Sequence, residues 1–273
     1  MKKRTLYLLL LPGLLFLTIF MVVPIALTIG TTFLQEGSFT FSGYLTFFTD
    51  DYFMSILGTT LRVSLLTTIT CIILGFPVAY YISKLQSRKK VILLLLTIFP
   101  LLTSPVVRSF SWMVILGKNG LLNNVLLSLG LRQEPLEILY TPTAVTIGLV
   151  HLFLPLIIVT LVGVLENIDQ DLLRAAESLG ASKVAVFKKV VLPLCVPGLM
   201  IGSILVFVGS FTAYTTPALL GGRQRVISTF LYQNAITLND WYLASIIATI
   251  MIVVTFVVIS LMNKAAHKLN PKG

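Results

Sequence analysis

The sequence predicts an all-α membrane protein with six transmembrane helices, and three observations carry that reading. Of its 273 residues, 56% are hydrophobic and only 11% charged, where a soluble domain carries about 25% charged residues. Mean hydropathy is +0.97. The apolar residues collect in long uninterrupted runs, whereas a transmembrane barrel would show short alternating segments. Helices satisfy their own backbone hydrogen bonds, which is what lipid demands of a spanning element.

The runs cover about 6–33, 58–84, 91–116, 141–165, 195–220 and 243–263. Each is long enough to cross about 30 Å at about 1.5 Å per residue, so the whole chain reads as one transmembrane domain. The first run follows the basic start MKKR, as in a signal peptide. It is far longer than the roughly 7–15 residues of a cleavable apolar region, and no Ala-x-Ala site follows, so it is expected to be a retained helix. Between the third and fourth runs, Leu121, Leu122, Val125, Leu126 and Leu129 recur near helical spacing. That spacing predicts an interfacial or external helix. Pro24, Pro77, Pro100, Pro105, Pro155 and Pro217 lie inside the runs. They predict either tolerated kinks or broken helices lining a path.

Charge sets the direction. Lys2, Lys3, Arg4, Lys84, Arg88, Lys89, Lys90, Arg174, Lys183, Lys188, Lys189, Lys264, Lys268 and Lys272 would share one side of the membrane, out of 20 basic residues in all. The loops on the other side hold Glu36, Asp50, Asp51, Glu134, Glu137 and Asp240. The positive-inside rule then predicts both termini and the 166–194 loop in the cytoplasm. The net charge of +10 is therefore a topology signal and not the footprint of a nucleic-acid partner. Cys71 and Cys195 fall in or beside apolar runs and read as packing residues, neither a disulfide nor a metal site.

The loop at about 166–194 is the one charged insertion between spans. Asp169 is placed to cap a helix, with Asp171 in its first turn. Leu172, Leu173, Ala176 and Leu179 follow at three- and four-residue spacing. Gly180 stands where a helix closes in the left-handed conformation, and Ser182 can cap a second helix. That helix carries Val184, Phe187, Val190 and Val191 on one side. Pro193 is expected to end the unit. Helices this short are not stable alone in water, so their apolar stripes need a surface, either the protein's own helix ends or a cytoplasmic partner.

This stretch resembles the "EAA" loop of binding-protein-dependent ABC importer permeases, written E-A-A-x-x-x-G, then nine residues, then I-x-L-P. Here Arg174-Ala175-Ala176 is followed three residues later by Gly180, and nine residues later by Val190-Val191-Leu192-Pro193. Arg174 stands where the pattern has an acid, and Glu177 lies one turn on, within reach of an i, i+3 pair. The segments TPTAVTIGLVHLFLPL and TTPALLGGRQRVIST extend the likeness, which is greatest to permeases of the spermidine/putrescine type. The resemblance implies the type I importer architecture, with a cytoplasmic coupling helix between spans four and five. It implies a bacterial inner-membrane location, a second and homologous permease subunit, two cytoplasmic ATPases and an external binding protein. ATP and magnesium would be used by the ATPases, with no cofactor bound by this chain. It implies ATPase contacts from Arg174, Ala175, Ala176, Glu177, Leu179, Gly180, Ala181, Phe187, Leu192 and Pro193. The cargo it implies is a polyamine; a phosphonate, an opine or an amino-acid-like solute is the alternative.

The residues themselves agree that catalysis lies elsewhere. The sequence GKNG at Gly117 lacks the earlier glycine and following Ser/Thr of a phosphate-binding loop. With His151 and His267 the only histidines, no catalytic triad or histidine metal cluster can be assembled. An ion-coupled secondary transporter would need a buried acid, and none lies inside a run. Candidates for a path through the membrane are Arg108, His151, Phe211, Tyr214, Thr215 and Thr216. Arg108 is a costly charge in lipid that faces a cavity or substrate or pairs within a complex. His151 reads as an interhelical hydrogen-bond partner or a ligand. Pro217 and Gly221-Gly222 are expected to interrupt the fifth span beside the hydroxyl-rich stretch. Arg62 is expected to snorkel to an interface.

Overall fold

The computed structural model describes residues 3–35 and 38–269. Lys2, Glu36 and Lys272, and the side chains of Lys3, Arg4 and His267, lie outside what is described. The chain forms two compact units, one of residues up to 54 with 230–253 and one of 55–229 with the residues from 254 onward.

In the first unit, α1 (Lys3–Leu17) runs through a π turn (Thr18–Val22) into α2 (Val23–Thr31). A two-stranded hairpin follows, β1 (Leu34–Gln35) against β2 (Ser38–Phe39), and then α3 (Ser42–Thr49). Aromatic residues tie these pieces together: the Phe33 ring lies 5.3 Å from Phe41 and 5.6 Å from Phe39 and Tyr44. The Thr32 and Tyr44 hydroxyls share a 2.6 Å hydrogen bond. Tyr52 and Phe53 pack their rings on Phe230.

The second unit is built around α8 (Pro142–Glu166), which packs on α4 (Asp51–Ser83), α5 (Ser87–Leu102) and α11 (Leu192–Thr212). Ile157 and Leu161 of α8, Cys71 and Ala79 of α4, and Cys195 and Val206 of α11 are completely buried together. Glycines permit the closest approaches. A Cβ on Gly198 would lie 2.8 Å from Val164 Cβ, and one on Gly148 would lie 2.7 Å from Leu220 and Thr216. Such small-residue contacts let spanning helices gain dispersion energy where water supplies no drive to associate. At one end of the pair, Lys90 of α5 and Glu166 of α8 form a 2.5 Å ion pair, each only about a third or less exposed.

Three breaks shape this unit. The run expected as the third span is two helices, α5 and α6 (Pro105–Leu116), with α5 bent by 93° from the stretch Pro105–Ser128 that α6 begins. The residue before a proline avoids helical geometry, and Ser104 before Pro105 is extended at ψ 133°. α7 (Leu121–Ser128) follows, where the leucine spacing places a helix. The fifth span breaks first at Ala213–Tyr214, before α12 (Thr215–Leu220), and ends as expected at Gly221-Gly222, where Gly221 caps α12 and Gly222 is left-handed at φ +57°; Pro217 makes no break. Ala213 turns extended, and its carbonyl is taken up by the Ser228 hydroxyl at 2.5 Å. Pro217 sits in the first turn of α12, where its missing N–H has no intrahelical partner to lose.

Elsewhere prolines are absorbed without a break. Pro77 and Pro155 lie within continuous helices. Pro193 does not end the loop unit: α10 (Lys183–Val186), a π turn (Phe187–Val191) and α11 form one helical run from Lys183 to Thr212. The π turn shifts the Leu192 N–H onto the Phe187 carbonyl, opening the helix just ahead of the proline ring. The same device precedes Pro24, where the Val23 N–H bonds the Thr18 carbonyl. A widened turn removes the clash that a proline ring makes with the preceding turn. Among the described residues, five helical runs are long and apolar enough to cross a membrane, and the bent α5–α6 pair makes six if it is one span. The chain is completed by α9 (Gln170–Ser178), α13 (Ile227–Tyr232), a π turn (Gln233–Thr237) and α14 (Trp241–Leu269).

Candidate functional site

Two places gather the candidate residues. The first is the α9–α10 unit. Asp169 Oδ1 accepts from the Asp171 N–H at 2.9 Å and caps α9; Ser182 Oγ accepts from Ala185 N–H at 3.3 Å and caps α10. Between them the chain closes in a Schellman motif. Ala181 N–H donates to Ala176 O at 3.1 Å and Gly180 N–H to Glu177 O at 2.9 Å, with Gly180 at φ +86°. Glycine suits this position because it has no Cβ to meet the following carbonyl.

The two apolar stripes divide in three dimensions. Leu173, Val186, Phe187 and Val191 turn inward, and the Phe187 ring stands edge-on to Phe76 and Tyr80 at 5.8 and 5.3 Å. Leu179 is 90% exposed, Val184 62% and Leu172 50%. Arg174 pairs with Asp171 at 3.8 Å, not with Glu177. Helical side chains lean toward the N-terminus, which carries Arg174 back over the preceding turn. Both partners are largely in solvent, so the pair adds almost nothing to stability.

The second place is a cavity of about 430 Å³ at the α5–α6 break, lined by Phe99, Pro100, Thr103, Arg108, Trp112 and His151 among others. Arg108 is 7% exposed, and its Nη2 donates to the Thr103 carbonyl at 3.2 Å. Its Nη1 has no hydrogen-bond partner. Trp112 Nε1 donates to His151 Nδ1 at 3.0 Å, the rings meeting edge to face. An indole N–H can only donate, so His151 Nδ1 is the acceptor and the neutral ring carries its proton on Nε2. Trp112 was not among the residues singled out from sequence. Its signal was its place four residues after Arg108, one turn along the same helical face.

The remaining path candidates do not join this cavity. Phe211 is completely buried and stacks on Phe207 at 5.7 Å, and Thr216 is buried against α8. Tyr214 is 39% exposed and Thr215 half-buried at the α11–α12 break. Arg62 is exposed, at the rim of a smaller cavity of about 290 Å³ with Thr59, Thr146 and Gln224.

A family model, described as the binding-protein-dependent transport system inner membrane component, matches residues 2–269 of the chain. The chain belongs to this family. It is a multi-pass inner-membrane permease, the non-catalytic transmembrane component of an ABC importer. The permease is 31% identical over 264 residues to the spermidine/putrescine transport system permease protein PotB of Escherichia coli (strain K12), covering 94% of this chain and 96% of that one. It is 28% identical over 225 residues to the putative 2-aminoethylphosphonate transport system permease protein PhnU of Salmonella choleraesuis (strain SC-B67), covering 79% of this chain and 76% of that one. Its fold matches a chain of the bacterial alginate ABC transporter, solved with an alginate pentasaccharide-bound periplasmic protein. The TM-score is 0.82 at 19% identity, over 100% of this chain and 97% of that one.

Proposed function

We propose that this permease is one of two membrane subunits of an ATP-driven importer, and that α9 and α10 form the helix pair on which a cytoplasmic ATPase docks. The observation that carries the docking role is Leu179, a large apolar side chain 90% exposed beside a fully capped turn. A capped, left-handed closure spends a glycine and two capping side chains on holding that residue outward. Val184 and Leu172 extend the apolar surface, while Phe187 anchors the unit on α4. Motion of a docked ATPase would reach the bundle through Phe187 and through the continuous helix from Lys183 to Thr212. Arg174, Ala175, Ala176, Glu177, Ala181, Leu192 and Pro193 surround or continue that surface. The clustered basic residues support a cytoplasmic side for both termini and this unit, with ATP and magnesium used by the ATPase.

The cargo we propose is a polyamine handed over by an external binding protein, on the strength of the 31% identity to PotB across 94% of the chain. A second reading, a solute that also bears an anionic group, is favoured by the Arg108 guanidinium beside its cavity, whose Nη1 has no hydrogen-bond partner. Co-expression of the chain with its ATPase and binding protein in vesicles tests both levels. ATPase that co-purifies, and ATP-dependent uptake of radiolabelled spermidine, are expected. An ATPase that never associates would overturn the docking role; uptake that ignores spermidine would overturn the polyamine.

A further inference from the structure

We infer that the cavity at the α5–α6 break is an oxyanion-binding subsite, taking the phosphonate or carboxylate of a solute through Arg108. The inference rests on the permease reading and deepens its second cargo. Four observations carry it. Arg108 is 93% buried by its 7% exposure, its Nη1 is unpartnered, and the residue is one of those that line the cavity. A cation held this way away from water needs a counter-charge. Neither the Lys90–Glu166 nor the Arg174–Asp171 ion pair involves Arg108. The sequence puts no Asp or Glu inside any apolar run, so the counter-charge must come from outside the chain.

The second observation is the helix end. Arg108 lies in the first turn of α6, a helix of 12 residues whose N-terminus carries no side-chain cap. Its positive dipole end adds to the guanidinium. The third is His151, whose imidazole proton is placed on Nε2 by the Trp112 hydrogen bond, making the ring a donor on the cavity wall. The hydroxyls of Thr103 and Ser111 already donate to the carbonyls of Pro100 and Val107. The fourth is size and depth. About 430 Å³ falls in the range of small-molecule sites. From the Lys90–Glu166 pair the cavity lies about 20 Å along α5 and α8, past the middle of a membrane core of about 30 Å. A guanidinium at that depth repels an ammonium group and attracts an oxyanion.

Trp112 lies in the cavity wall and provides the readout. With Trp241→Phe it is the sole indole of a chain that has two tryptophans. The full chain in lipid nanodiscs is titrated with 2-aminoethylphosphonate, with ethanolamine (the same amine without the phosphonate) and with spermidine. A saturable change in Trp112 emission is expected with the phosphonate alone. Arg108→Gln should weaken it about tenfold or more, the loss of a charge-assisted hydrogen bond in a buried site, and Arg108→Lys should weaken it less. Equal phosphonate binding by the Gln variant would overturn the inference, as would equal responses to phosphonate and ethanolamine or no response at all. A response to spermidine in place of the phosphonate would overturn it while leaving the polyamine reading standing. Phosphatidylglycerol retained in an Arg108-dependent way in native mass spectra, without response to the soluble probe, would assign the site to lipid and overturn it too. Size-exclusion profiles report folding; if the Gln variant fails to fold, the Lys variant and the ethanolamine comparison decide. ATPase co-purification, which does not involve this cavity, tests the underlying permease reading separately.

Discussion

Replacing Gly180 separates backbone conformation from side-chain bulk as the basis of the α9–α10 turn. The residue has φ +86°, and a Cβ placed on it would meet nothing within 4 Å. Steric crowding with neighbours is thus no reason to require glycine; only the left-handed backbone is. For an ordinary L-residue that conformation costs about 1–2 kcal/mol, and Asn tolerates it best. A cost of that size lowers the population of the closed turn by a factor of about 5–30. Apparent affinity for a partner that needs the closed turn falls by up to the same factor. The expected order of ATPase affinity is therefore Gly, then Asn, then Ala, then Val. It would be measured by titrating labelled ATPase onto the nanodisc-embedded importer, with coupled ATPase activity as a second readout. Asn as damaging as Val, or Val indistinguishable from Gly, would refute the argument, since the first points to size and the second to a turn that does not matter.

Two further outcomes test the packing. Gly198→Ala would drive a Cβ into Val164, whose Cβ lies 2.8 Å away, and a β-branched helical side chain has no second rotamer to retreat to. Overpacking of this kind costs about 1–3 kcal/mol, so the variant should unfold at lower SDS fraction. Gly58→Ala, with nothing within 4 Å of its Cβ inside α4, should gain up to about 1 kcal/mol from helix propensity; the opposite ranking would discredit the α8–α11 contact. Glu166→Lys alone should destabilise the α5–α8 end by about 1 kcal/mol, and adding Lys90→Glu should recover most of it in a double-mutant cycle. A double variant no better than the single ones would show that the ion pair is incidental.

Much of the loop unit was legible because its determinants are local. Asp169, Ser182 and Gly180 act within four residues of themselves, through caps and through one backbone angle. The pairing of Arg174 was misjudged because both Asp171 and Glu177 lie three residues from it, and only side-chain direction separates them. Pro193 was misread for a related reason: a proline removes a donor in any helix, but a π turn ahead of it keeps the run continuous, and no residue type in Phe187–Val191 announces one.

The sequence alone determined which segments are long and apolar enough to enter lipid, that the basic residues collect in alternate loops, and where a charged helix pair interrupts the bundle. These are properties of composition and short-range spacing. Only the tertiary structure decided that Arg108, Trp112 and His151 share one wall while Phe211 and Thr216 are core. It also decided that the third apolar run bends, by 93° between α5 and the stretch Pro105–Ser128. Spanning helices are apolar on every side, so hydropathy does not say which face looks inward. That choice falls to close packing between segments far apart in the chain, as at Gly198 on Val164 and Trp112 on His151.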